Sequence, residues 1–245
     1  MRRSSIGRLP DLGSNPQNEL LADAVTEPRI DEGHLKARVL SELRRDGLID
    51  SRTPIASEFR LRNAPTRADL ALFGQNFIGV EIKSKFDTLR RLEAQLEAYG
   101  KWFEHSILVV AERHVRSSSL EGLGNVELWT VDGIGRITRV REGVIARRQT
   151  GFASLMTLEE QRRFLTRSED SERCAFAASF RAKYGETSTR FWEAIKGRRI
   201  HDSDIAMLSR YCERRERQVQ LQRDRDLRNS RWCERATELL SVASG

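Results

Sequence analysis

Cysteine and long apolar runs are both scarce in this chain of 245 residues. The three cysteines, Cys174, Cys212 and Cys233, form no C-x-x-C pair, so neither a disulfide framework nor a zinc knuckle is indicated. No stretch approaches the roughly 20 apolar residues of a membrane span. The first residues carry Arg2 and Arg3 but no apolar signal core. We therefore expect a cytoplasmic protein that does not bind membranes.

Histidine and lysine are also few, whereas arginine is abundant. The four histidines show no metal-ligand spacing, and six lysines stand beside 37 arginines in a chain of net charge +7. Basic side chains neutralise phosphates and release counterions, so a nucleic acid is the expected partner. GC-rich codon usage would produce the same arginine excess, so the charge supports this partner without deciding it.

Acidic residues converge on two predicted strands, residues 68–73 and 77–85, which flank a Gly/Asn turn at 74–76. Residues i and i+2 of a strand share a face, so Glu81 and Lys83 point together while Ile82 faces the core. A hairpin brings Asp69 towards Glu81. Two such carboxylates attract a hard divalent cation such as Mg²⁺, and a nearby ammonium can orient water or stabilise charge on a phosphate.

A predicted helix at residues 87–103 follows, with apolar residues at spacings of three and four. Gln95 and Tyr99 are one turn apart on it and therefore adjacent in space. The apolar run at 106–111 is typical of a buried strand. An acid-x-Lys triplet alone is common on a solvated sheet face, so its meaning depends on this combination.

The combination resembles the PD-(D/E)XK nuclease superfamily, whose signature is a metal-binding acid, a spacer, and acid-x-Lys on the following strand. Asp69 and Glu81-Ile82-Lys83 stand at these positions, although Arg67-Ala68 precedes Asp69 where the signature has proline. The pair of Gln95 and Tyr99 resembles the extra motif of the RecB-like branch. The same stretches are similar to small bacterial proteins that are predicted nucleases.

The resemblance implies a fold and a site. The fold is α/β, with a restriction-endonuclease-like core in which helices flank a central mixed sheet. Mg²⁺ or Mn²⁺ would be held by Asp69, Glu81 and the backbone carbonyl of Ile82. Lys83 would position the attacking water, and Gln95 and Tyr99 would support the site.

Two further acids are candidates near this site. In a predicted helix at residues 30–47, Glu42 lies at the edge of the apolar face, and superfamily members often supply a carboxylate from this helix. A salt bridge to Arg38 is an equal alternative. Glu58, in a predicted strand at 57–61, is either a peripheral site residue or, as we favour, part of a solvated edge.

We expect three regions: a tail at residues 1–28, the nuclease-like core at 29–151, and an all-helical C-terminal region at 152–245. The core also contains predicted strands at 126–131 and 136–140. Predicted helices at 174–184 and 187–196 precede a long basic run. These form either a helix-turn-helix-like reader or, as we favour, a helical cap. Candidate nucleic-acid contacts are Arg67, Arg214, Arg215 and Arg217.

The sequence therefore predicts a metal-dependent nuclease that hydrolyses phosphodiester bonds in DNA. One alternative is a non-catalytic nucleic-acid-binding or scaffold protein on the same fold. Another is a nuclease for RNA or branched DNA. The intact set of Asp69, Glu81 and Lys83 favours catalysis, and the oligomeric state stays open, a homodimer included.

Overall fold

The computed structural model describes residues 31–62, 66–117, 120, 122–165 and 171–209, with three short pieces at 221–222, 225–226 and 228–229. The predicted tail at 1–28 lies outside the described residues. Arg214, Arg215 and Arg217, the C-terminal candidates for nucleic-acid contacts, also lie outside them.

A six-stranded mixed sheet forms the centre of the molecule, with the strands in the same order across the sheet as along the chain. The strands are β1 (Ile55–Arg60), β2 (Arg67–Phe73), β3 (Phe77–Lys83), β4 (His105–Ala111), β5 (Glu127–Val131) and β6 (Ile137–Arg141). β1, β2 and β3 are antiparallel, β3, β4 and β5 are parallel, and β6 returns antiparallel to β5. This confirms the predicted α/β class and the central mixed sheet.

Helices cover both faces of the sheet. α1 (Glu32–Arg45) begins at the N-cap Asp31 and contributes its apolar residues to one core cluster. α2 (Leu92–Trp102) packs on the other face. β4 shows the division, because Val109 belongs to the cluster with α1 and Leu108 to the cluster with α2. Buried on both faces, β4 needs the continuous apolar run seen in its sequence.

The C-terminal region is helical in its described part, as predicted. α3 (Leu158–Phe164) begins with a capping box at Thr157. α4 (Glu172–Ala194) is one helix of 23 residues, so the predicted break between residues 184 and 187 is wrong. Gly185 carries no positive φ, and the helix passes through it because the aromatic side chains on both sides are buried.

α4 crosses the free edge of the sheet at β1. Its Phe180 packs with the cluster that contains α2 residues, whereas Trp192 packs with the cluster around α1. At the crossing, the Ser188 hydroxyl oxygen accepts a hydrogen bond from the Ile55 N–H at 2.8 Å. The edge strand is thereby covered instead of exposed. The short helix α5 (Asp202–Ile205) follows and contacts α1.

No helix in the described part of the chain is both long and apolar enough to span a bilayer.

Candidate active site

The β2–β3 hairpin places Asp69 opposite Glu81. Leu70 pairs with Val80, and the pairing continues in register to the turn. One position further from the turn, the same register places Asp69 opposite Glu81. Oδ2 of Asp69 also accepts a hydrogen bond from the Ile82 N–H at 2.6 Å. Convergence of these two carboxylates was the central expectation from the sequence, and the structure brings them together.

Glu81 is the most densely contacted carboxylate of the site and is only 2% exposed. Its Oε1 accepts hydrogen bonds from Lys83 Nζ and from Gln95 Nε2, each at 2.6 Å. Its Oε2 accepts one from the Tyr99 hydroxyl at 2.7 Å. The acid, the lysine and the Gln-x-x-x-Tyr pair therefore meet at one carboxylate, although two of them come from a different element.

A glycine allows α2 to approach β3 closely enough for these contacts. A Cβ added to Gly79 would lie 2.3 Å from a ring carbon of Phe103. Phe103 directly follows α2, and its ring also packs on Tyr99 with the centroids 4.9 Å apart. Contact between the bare backbone of Gly79 and this ring helps to set the height of Tyr99 above Glu81.

Burial and like charge dominate the electrostatics of Asp69. Its removal from water and the neighbouring Glu81 together raise the pKa of Asp69 to about 8. The same two causes raise the pKa of Tyr99 well above its usual value, so its hydroxyl keeps its proton and donates to Glu81. A cation between the carboxylates would reverse the effect on Asp69.

A third acid, Glu58, lies beside Asp69 on the other neighbouring strand. The paired residues on either side in β1 and β2 put Glu58 opposite Asp69. Its backbone has a φ of 60°, a left-handed conformation that is strained for a residue with a side chain. Glu58, Asp69 and Glu81 thus form a row of acids across three strands. Sequence alternation suggested a solvated edge for Glu58 and gave no sign of this conformation.

The acid that the first helix brings to the site is Glu32. Carboxylate oxygens of Glu32, Glu58 and Asp69 all lie within 4.8 Å of one another. Glu42, the residue expected from the sequence, pairs with Arg45 instead. Ten residues separate Glu42 from Glu32, which is roughly 15 Å along a helix. The edge salt bridge was therefore the better interpretation of Glu42, with Arg45 in place of Arg38.

Lys36 also belongs to this group, and sequence reasoning missed it. Nζ of Lys36 lies 2.6 Å from Glu32 Oε1 and 2.5 Å from Glu58 Oε1. The spacing of four between Glu32 and Lys36 was visible in the sequence and indicates one helix face. What the sequence did not reveal is that this face, at the start of α1, meets the strand carrying Glu58.

A cleft of about 390 Å³ opens next to Glu58. Four basic residues, Arg60, Arg62, Arg67 and Lys183, and two acids, Glu58 and Glu160, line it. Arg67, the described candidate for a nucleic-acid contact, lies 3.6 Å from Glu58. The arginines lie on β1, on β2 and in the turn between them, and the lysine lies on α4. The cleft therefore lies between the acidic row and the C-terminal region.

The donor set fits a hard divalent cation. The site is built from carboxylates and the Gln95 amide, and no thiolate or imidazole is among its described residues. Oε1 of Gln95 is buried and has no hydrogen-bond partner among the described residues. A buried acceptor of this kind needs a donor, which a metal-bound water would supply. Mg²⁺ or Mn²⁺ is the type of ion that these residues could hold.

The family model for bacteriophage P4 protein cII matches residues 26–177. The chain belongs to this family. The matched segment contains the whole sheet, α1, α2 and every described residue of the acidic row. The P4 protein cII family therefore includes the part of the chain that builds the candidate site.

One curated relative is protein cII of Enterobacteria phage P4, which is 29% identical over 127 residues. The match covers 51% of this chain and 48% of the relative, so the chain spans about half the length of that protein. A solved structure of a protein of unknown function from Silicibacter pomeroyi superposes on this chain with a TM-score of 0.40 and 16% sequence identity. The superposition covers 66% of this chain and 89% of the Silicibacter chain. An overlap this weak carries no conclusion about the family.

Proposed function

We propose that this protein is a metal-dependent nuclease of the PD-(D/E)XK type that hydrolyses phosphodiester bonds in DNA. The observation that supports this most strongly is the meeting of Lys83, Gln95 and Tyr99 on Glu81, with Asp69 opposite. An acid-x-Lys triplet on an ordinary solvated strand has no reason to recruit two polar side chains from a separate helix.

In this proposal, Asp69, Glu81 and the carbonyl of Ile82 would hold one Mg²⁺ or Mn²⁺. When bound, the ion supplies Lewis acidity and a water of lowered pKa. Lys83 would orient the attacking water and stabilise charge on the phosphate, because its side chain is only 13% exposed and its ammonium is held 2.6 Å from Glu81 Oε1. Tyr99 and Gln95 fix the orientation of Glu81 by hydrogen bonds to its two oxygens.

The basic cleft beside Glu58 supports a nucleic-acid substrate. Arg60, Arg62, Arg67 and Lys183 outnumber the two acids that line it. A phosphate backbone that crosses this cleft would reach the acidic row, where a bound cation would relieve its repulsion from the carboxylates. The net charge of +7 adds a general attraction for polyanions.

The test is an incubation of the pure protein with linear, circular and single-stranded DNA and with RNA, in Mg²⁺, Mn²⁺ or EDTA. We expect cleavage of DNA in Mn²⁺ and Mg²⁺ and none in EDTA. Lys83→Met should lower the rate by about 10²- to 10³-fold, the usual loss when one charge-stabilising group is removed. Lys101→Met, which changes an exposed lysine on α2, should cleave like the wild type. Undiminished cleavage in EDTA would contradict the metal mechanism.

One observation favours a second candidate, a nucleic-acid-binding protein without catalysis. The basic cleft is lined by Glu58 but by none of Asp69, Glu81 and Lys83, so binding there does not need the chemistry. Tight binding by Asp69→Ala and by the wild type, with no cleavage of any substrate in either metal, would favour this candidate. Cleavage confined to RNA would redirect the proposal to that substrate.

A further inference from the structure

Lys36 is a buried lysine surrounded by acids beside the proposed metal site. Its side chain is only 5% exposed. The ammonium contacts Glu32 at 2.6 Å, Glu58 at 2.5 Å and the Ser57 hydroxyl at 3.3 Å. These three acceptors use all three of its N–H donors. A lysine that merely filled space would not be so completely paired.

The acids around Lys36 would repel one another without it. Glu32, Glu58 and Asp69 present carboxylate oxygens within 4.8 Å of one another. Carboxylates this close repel one another, and a positive charge beside them offsets that repulsion. Lys36 supplies that charge from α1, and its ammonium lies on two of the three carboxylates.

Backbone strain at Glu58 suggests that this arrangement is maintained for a purpose. A φ of 60° in the middle of β1 is unfavourable for glutamate, and the flanking positions continue the pairing with β2. The strained backbone holds the Glu58 carboxylate on the ammonium. Strained residues of this kind cluster at functional sites, where the surrounding structure enforces them.

We propose that Lys36 is a fixed counter-cation that limits the acidic site to a single divalent metal ion. This inference rests on the proposed metal-dependent function. In two-metal phosphodiesterases the ions lie about 3.5–4 Å apart and share neighbouring carboxylates. Here the additional carboxylates, Glu32 and Glu58, are occupied by the ammonium. Lys36 is thus a positioning residue, and one ion remains for Asp69 and Glu81.

The first measurement is the number of Mn²⁺ ions bound per chain, by calorimetry and electron paramagnetic resonance. We expect one ion for the wild type and two for Lys36→Met, with the second lost again in Lys36→Met/Glu58→Gln. Lys196→Met, which alters an exposed lysine, should bind one. Two ions in the wild type, or one in Lys36→Met, would overturn the inference.

The second measurement needs no metal and detects the charge itself. In EDTA, Lys36→Met should lower the Tm, and adding Glu58→Gln should recover most of that loss because fewer unpaired charges remain. Strictly additive losses would mean that Lys36 acts by packing, which overturns the inference. If Lys36→Met does not fold, a folded double variant is the expected compensation. Failure of both variants to fold would overturn the inference as well.

These measurements separate the inference from the proposed function. Neither involves cleavage, so the expected ion counts together with inert DNA would overturn the nuclease proposal alone. Conversely, metal-dependent cleavage with an unchanged ion count in Lys36→Met would overturn the inference alone. A wild type that binds no Mn²⁺ would overturn the metal site itself and, with it, the limiting role of Lys36.

Discussion

Two buried carboxylates, Asp69 in the row of acids and Glu104 directly before β4, have opposite electrostatic surroundings. Glu104, with a side chain that is 0% exposed, accepts hydrogen bonds from Nε and Nη2 of Arg173 at 2.8 and 2.9 Å. The N–H groups of Phe77 and Arg148 donate to it as well, at 2.7 and 3.1 Å. Asp69 accepts one hydrogen bond from the described residues and faces acids on both neighbouring strands.

The pKa values of the two carboxyls diverge accordingly. Burial by itself would raise the pKa of Glu104, but Arg173 and the backbone N–H groups outweigh it, and the pKa lies below its ordinary value. Burial and Glu81 raise the pKa of Asp69 instead, to about 8. A fully paired carboxylate stabilises the fold, whereas one that faces other acids keeps its capacity for a cation.

The largest expected effect concerns the paired carboxylate. Glu104→Ala should lower the free energy of unfolding by about 4 kcal/mol, since removing one partner of a buried ion pair leaves the other uncompensated. The loss is measured by urea denaturation. Glu97→Ala, at an exposed position on α2, should change stability by less than about 0.5 kcal/mol. Equal losses of stability in the two variants would mean that the ion pair of Glu104 with Arg173 does not stabilise the fold.

Strand β3 connects the two regions, and Gly79 lies on it between Phe77 and Glu81. Gly79→Ala should lower the free energy of unfolding by about 3 kcal/mol, because the new methyl group collides with Phe103. Displacement of α2 should also weaken Mn²⁺ binding through Tyr99. Gly100→Ala, on a helix with open space around the position, is the matched control. Unchanged metal affinity in a destabilised Gly79→Ala would show that the site does not depend on this contact.

Neutralising Asp69 should stabilise the metal-free protein, whereas removing Glu104 should destabilise it. In EDTA at pH 8, Asp69→Asn should raise the free energy of unfolding by roughly 2 kcal/mol. Each unit of the pKa shift corresponds to about 1.4 kcal/mol, and the expected gain is smaller than the full shift converted in this way. The asparagine oxygen can still accept the Ile82 N–H. Mn²⁺ binding should be lost in the same variant. A loss of stability on Asp69→Asn would show that the charge of Asp69 does not destabilise the metal-free protein.

The pH dependence of the metal-free protein follows from the same two shifts. The folded-state pKa of Asp69 exceeds its ordinary 3.8, so the folded state binds the extra proton and stability falls as pH rises from about 4 to about 8. The pKa of Glu104 is lowered, so its contribution is present above its ordinary 4.5 and is lost as pH falls through the folded-state value. Denaturation from pH 3 to 9 should show the alkaline loss disappear in Asp69→Asn. The acidic loss should become smaller in Glu104→Gln but remain, since the pKa values of Glu127 and Glu160 are lowered as well.

The smallest expected effect isolates one donor at the site. Tyr99→Phe removes the hydroxyl that donates to Glu81 and should lower the free energy of unfolding by about 1 kcal/mol. Glu81 keeps Lys83 and Gln95, so Mn²⁺ should still bind. Complete loss of Mn²⁺ binding in a folded Tyr99→Phe variant would mean that this hydroxyl is part of the metal site and not a support for Glu81.

Local patterns were enough to predict most of the contacts in the candidate site. Alternation and the Gly/Asn turn predict the β2–β3 hairpin, and a hairpin leaves little freedom in which residues oppose each other, so Asp69 meets Glu81. The helical spacing of Gln95 and Tyr99 predicts that they act as a pair. Both predictions depend on geometry repeated within one element or one turn, which the sequence encodes directly.

Long-range packing decided the rest. The first helix offers an acid near each end, and only its docking on the sheet selects Glu32 over Glu42. Lys36 reads as an ordinary helix-face lysine until that docking buries it against Glu58. Glu58 looks like a solvated strand residue because its positive φ is imposed from outside and has no local signal.

By itself, the sequence predicted most of the strands and helices along the chain, the hairpin at Asp69 and Glu81, and the residues that line up across it, because these follow from periodicity and a short turn. Tertiary structure alone decided which charges share one space. α4 crosses the sheet edge at β1 without a break because its aromatic residues find partners on both faces of the sheet. Likewise, Glu32 and Lys36 join the row of acids because α1 begins beside it. The charge balance of the site is therefore a property of docking between elements, which no single segment of the chain carries.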